Sequence, residues 1–85
     1  MKMSQEEIES AVSILLAPAN LSYVEHIRFS IGTDPDYLTY YQLSTTIEVR
    51  RILWDLGRGI YVHEDAEAIF ILKEAMRRIP KSSAA

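Results

Sequence analysis

Apolar positions recur at helical intervals along most of this chain, most clearly in Glu64–Ile79, EDAEAIFILKEAMRRI. Ile69, Leu72, Met76 and Ile79 follow one another at steps of three and four, the stripe of an amphipathic helix. The segment is built of strong helix formers with no internal Gly or Pro, and Pro80 supplies a stop. Its charges are sorted by sign: Glu64, Asp65 and Glu67 open it, and Lys73, Arg77 and Arg78 close it, matching the helix dipole at both ends. One feature departs from a surface helix. Ile69-Phe70-Ile71-Leu72 is an unbroken apolar run that covers the full helical circumference, where an ordinary surface helix keeps its apolar arc to one side. Such a helix is either central in the core or presents its second side to another chain.

The other elements follow from the same kind of pattern. Ser4-Gln5-Glu6-Glu7 has the S-x-x-E spacing of a capping box. Ile8, Ala11, Val12, Leu15 and Leu16 then keep helical spacing until Pro18, which predicts a first helix over about Gln5–Ala17. Leu21–Ile31 supports two patterns. Ser22 and Glu25 make a second capping box, Leu21, Val24, Arg28 and Ile31 share a helical face with Ile27 beside them, and Gly32 is a natural terminator. The same residues alternate as Ile27, Phe29 and Ile31 against His26, Arg28 and Ser30, a strand signature that would pair with Tyr37–Leu43 across a loop at 32–36. The following stretch favours the helix. Asp34 suits an N-cap and Pro35 the first helical position, and Leu38, Tyr41, Thr45, Val49, Ile52, Leu53 and Leu56 keep the period up to Gly57. This predicts one helix over Pro35–Leu56, with Thr45-Thr46-Ile47-Glu48 offering a second start after Ser44. Gly57-Arg58-Gly59 is a flexible connection and Ile60-Tyr61-Val62 an extended one.

The expected architecture is therefore an all-α single domain of four to five helices over residues 1–85, with a frayed start at 1–3 and a disordered tail at 81–85. The alternative is an α+β fold with a hairpin near residues 26–43.

Composition adds bounds rather than identity. An 85-residue chain is one domain, and at this length only about 60–65% of the unfolded surface is buried, so pairing with a second copy is a common remedy. There is no cysteine, which excludes disulfides and thiolate metal sites and fits a cytoplasmic protein. The opening MKMSQEEIES turns acidic at once, unlike a signal peptide, and no apolar run approaches a membrane span. The net charge of −3 is unevenly placed. Met1–Asp36 carries two basic against six acidic residues, and Tyr37–Ala85 seven against six. An acidic whole disfavours nonspecific nucleic-acid binding, which needs a net attraction to phosphate.

Candidate chemistry is sparse. His63 and Glu67 stand four apart and would share a helix face, but two ligands fall short of the three or four that zinc requires, and no metal or other cofactor is expected. Ser4, Ser22 and Thr45 stand where caps belong, Ser44 lacks the G-x-S-x-G context of a nucleophile, and Glu6, Glu7, Glu64 and Asp65 sit at helix starts rather than as paired catalytic acids. Gly57-Arg58-Gly59 lacks the spacing and the lysine of a phosphate loop. Catalysis is not expected. The aromatic residues point elsewhere. Tyr37, Tyr40 and Tyr41 cluster, Trp54 follows, and Arg50 lies one turn before it, the residue types in which binding energy concentrates. The expected function is a small non-enzymatic protein–protein interaction module, a homodimer or an adaptor, binding through Tyr37, Tyr40, Tyr41, Trp54, Phe70 and Ile71. The alternative is a small nucleic-acid-binding transcriptional regulator, with Arg50, Arg51 and Arg58 as the contacts. Against it, the acidic residues are interspersed among the basic ones, the pattern of a solvated face.

Overall fold

The computed structural model describes residues 3–31, 42–56 and 59–79. The protein is all-α. Among the described residues the order is α1 (Gln5–Leu16), α2 (Pro18–Ile31), α3 (Gln42–Arg51), a π-helical turn (Ile52–Leu56) that extends α3, and α4 (Asp65–Arg78).

The start of α1 is the predicted capping box. The Ser4 hydroxyl accepts from the Glu7 N–H at 3.1 Å, and the Ser4 N–H donates to Glu7 Oε1 at 3.0 Å. Pro18 ends α1 because the residue before a proline is pushed out of the helical region, and Ala17 is extended, with ψ 149°. Pro18 then serves as the first residue of α2, a position where its missing N–H costs nothing. Asn20 closes the corner: its buried side-chain amide donates at 2.9 Å to the Ile14 carbonyl, which also accepts the Ala17 N–H at 3.2 Å at the end of α1. Helix α2 therefore starts five residues earlier than the Ser22–Glu25 capping box suggested, and Ser22 lies inside it.

The two readings of Leu21–Leu43 are separated by burial. Ile27 is buried while Phe29 is 87% exposed, so the alternating pattern does not select a sheet face. Residues 27–31 are helical, and a hairpin is excluded at its first strand. Helix α3 runs through Ser44 without a break, and Thr45 and Thr46 are buried within it rather than capping a new start. The change comes later, at Ile52, where the α-helix gives way to the π turn. The proposed start at Pro35 lies outside the described residues.

Helix α4 packs against α1, α2 and α3. Ala68, Ile71, Leu72 and Ala75 on α4 are fully buried, against Ala11, Val12 and Leu15 of α1, Val24 of α2, and Val49, Ile52 and Leu53 of α3 and its π turn. The alanines matter for this arrangement. Small residues on α1 and α4 let the two helices approach closely enough for the larger neighbours to interdigitate. The apolar run therefore divides: Ile71 and Leu72 are inside, Ile69 is half-buried, and Phe70 is the most open of the four, at 39% exposure. Most of the run is explained by a central helix. Ile71, expected among the partner-binding residues, is a core residue with 0% exposure.

Met3 was expected to be frayed. It is buried, and its N–H donates to Glu67 Oε2 at 3.1 Å. Met1, Lys2 and residues 81–85 lie outside the described residues.

Candidate docking groove

Glu67 fixes the backbone on which the candidate site is built. Its carboxylate is almost fully buried, at 1% exposure. Oε1 accepts the N–H groups of His63 and Glu64, both at 3.1 Å, while Oε2 takes that of Met3. A carboxylate offers only acceptors, and here they meet backbone donors at the start of α4. The sequence pairing of Glu67 with His63 is therefore a capping contact through the backbone. The His63 ring instead stands edge-on to Tyr61, with centroids 4.6 Å apart. Among the described residues no three His, Cys, Asp or Glu side chains gather as metal ligands.

Upstream of that cap the chain folds back on the end of α3. Gly59 adopts φ +78°, a backbone region that side chains with a Cβ rarely enter. Its N–H donates to the Trp54 carbonyl at 3.2 Å, and the Ile60 N–H donates to the Leu53 carbonyl at 3.2 Å. Residues 60–62 are thereby laid alongside the π turn. They belong to no regular element, and their burial alternates: Val62 is buried and Tyr61 is 60% exposed. Tyr61 meets Trp54, itself 57% exposed, in an edge-to-face contact with centroids 6.3 Å apart and ring planes 84° apart.

These elements enclose an open groove of about 240 Å³ lined by Arg50, Trp54, Ile60, Tyr61 and Val62. Arg50 is its charged wall. One guanidinium nitrogen lies 2.8 Å from Asp65 Oδ1 at the start of α4, with both side chains substantially exposed. Among the described residues, its buried Nε has no hydrogen-bond partner. Ile47, seven positions before Trp54 on α3, is also exposed.

The remaining described arginines of the second half are engaged. Arg51 chelates Glu48 through Nε at 3.1 and 3.2 Å, and the hydrogen bonds hold the Glu48 carboxyl below the usual carboxylate range. Arg78 grips Glu9 of α1 at 2.7 and 2.9 Å, lowering the Glu9 pKa in the same way, and Arg77 pairs with Glu74. Arg50, Arg51, Arg77 and Arg78 are thus each countered by a carboxylate.

Of the residues named from sequence, Trp54 and Arg50 come together in the groove. Phe70 projects from α4 partly exposed, Ile71 is core, Arg51 is paired with Glu48, and Tyr37, Tyr40, Tyr41 and Arg58 lie outside the described residues. Sequence reasoning missed Tyr61 and Asp65 as site residues. The alternation Ile60-Tyr61-Val62 after a glycine was the available signal, since an extended segment with two apolar neighbours inward sends the tyrosine out.

No protein-family model matches the chain, and no curated protein or solved structure shows significant similarity to it. Among the described residues, no helix is long and apolar enough to cross a membrane.

Proposed function

We propose that this chain is a small non-enzymatic protein–protein interaction module, working in the cytoplasm, that receives its partner in the groove between the end of α3 and residues 60–62. The supporting observation is the exposed Trp54–Tyr61 pair beside Arg50. Large aromatic rings left in solvent forgo a hydrophobic gain that a partner would recover, at about 25 cal/mol per Å² covered. Tryptophan, tyrosine and arginine are also the residue types in which interface energy concentrates. The groove is smaller than the roughly 300–1,000 Å³ of small-molecule sites, which favours a side chain of another protein over a metabolite.

The test is site-specific photo-crosslinking in cells. A photoreactive residue replaces Tyr61 in one variant and the exposed Glu25 on α2 in another. Crosslinks to a discrete protein from position 61 and none from position 25 are expected, and equal labelling from both positions would remove the groove as a docking site.

A further inference from the structure

The structure assigns a partner class to the groove: an extended peptide segment carrying a bulky apolar side chain and, two residues away, a carboxylate. This partner class presupposes the docking role proposed above and adds its chemistry.

Size sets the first requirement. At 57% and 60% exposure, Trp54 and Tyr61 leave roughly 250 Å² open between them, and Ile47 adds roughly 100 Å². A stable dimer needs about 800 Å² from each partner, so this row is too small to hold a second copy. It matches a short segment anchored by one side chain, and the 240 Å³ groove has the scale of one such side chain.

Charge sets the second requirement. Arg50 is the charged residue among those lining the groove. It is partly exposed and holds Asp65 through one nitrogen. A guanidinium carries five donors in a planar fork, so one ion pair leaves it able to take a second carboxylate. An incoming acid would compete with Asp65 for it.

Spacing sets the third. Arg50 and Trp54 stand four positions apart where α3 gives way to the π turn, about one turn and on the order of 6 Å along the axis, and both line the groove. Side chains two apart on an extended peptide are separated by roughly 6.5–7 Å on one face. An apolar residue at one position and Glu or Asp two positions away therefore reach Trp54 and Arg50 together.

Trp54 is the only tryptophan in the chain, so its emission reports occupancy of the groove directly. The probes are blocked hexapeptides of Gly and Ser carrying Leu-Ser-Glu, with Leu-Ser-Gln, Leu-Ser-Lys and Ala-Ser-Glu as comparisons, titrated against the full chain. The Leu-Ser-Glu peptide is expected to change Trp54 emission saturably. Replacing Glu by Gln, or Leu by Ala, should weaken binding about tenfold. Arg50→Gln should erase the difference between the Glu and Gln peptides. Asp65→Asn, which removes the competing carboxylate, should tighten the Glu peptide, a gain that misfolding would not produce. Equal binding of the Glu, Gln and Lys peptides, or weaker Glu-peptide binding by Asp65→Asn, would overturn the assignment of an acidic partner. If the position-61 crosslinks persist in that case, the docking role stands and only its chemistry is wrong. Emission that shifts with protein concentration alone would give the groove to a second copy and overturn the peptide. No emission change at millimolar peptide would overturn it too, and the docking role would fall with it if position 61 also fails to crosslink.

Discussion

Helix α4 and the corner at the end of α3 treat apolar residues in opposite ways. On α4 a run that looks excessive for one helix is absorbed: three helices close around it, and Phe70 stays the most open of its residues. At the corner, ordinary-looking residues are left in solvent. Trp54 and Tyr61 are each more than half exposed although the adjacent Ile52, Leu53 and Val62 are buried. The density of apolar residues in a segment therefore does not locate the open apolar surface. The number of elements packed around the segment does: three described helices close on α4, whereas Trp54 and Tyr61 at the corner stay more than half exposed.

Substitutions can break this contrast, beginning with the largest expected effect. Ile71→Ala removes a fully buried side chain from the centre of α4 and should cost about 3–4 kcal/mol in urea unfolding. Trp54→Ala and Phe70→Asp should each leave the chain folded, within about 1 kcal/mol of the parent, because both side chains have a route to solvent. If Trp54→Ala proved as costly as Ile71→Ala, the corner would be core. Glu67→Ala should cost about 2–3 kcal/mol by leaving the N–H groups of Met3, His63 and Glu64 without their acceptor, and hydrogen exchange at those amides should rise together. Gly59→Ala should cost about 1–2 kcal/mol through its positive φ alone, since a Cβ there would meet Trp54 only at an ordinary 3.7 Å. Its sharper consequence should be a loss of groove geometry, visible as a red shift in Trp54 emission at unchanged helical content.

The smallest effect concerns pH. Glu9 and Glu48 have folded-state pKa values lowered by their arginine hydrogen bonds. A lowered carboxyl pKa stabilises the fold above the ordinary carboxylate range, and that contribution is lost as pH falls through the folded value. Stability should therefore decline on acidification, and Glu9→Gln should make the decline shallower. The pairs are exposed, so added salt should shrink the difference.

The helical period was legible in α1, α4 and most of α3 because each sets a regular stripe against a core. The capping box at Ser4 was legible because it is a local exchange of hydrogen bonds. What sequence could not convey is long-range. Whether Phe70 or Ile71 faces the core depends on where α1 and α3 sit relative to α4, which their common place in one apolar run conceals. The start of α2 was misplaced because Pro18 was read only as a stop, although the same missing N–H makes it a good first residue. The groove was half visible in Trp54 and Arg50. Its other wall depends on a single left-handed glycine turning residues 60–62 back onto the π turn, and no periodicity announces such a reversal.

The buried carboxylate of Glu67 joins residues 64 positions apart, and the Arg78–Glu9 pair joins residues 69 apart. Closing loops of that length precedes any reward from the contacts they create. Without α4, helices α1 to α3 lack their main packing surface. A fragment ending before residue 64 should therefore remain collapsed but unsettled.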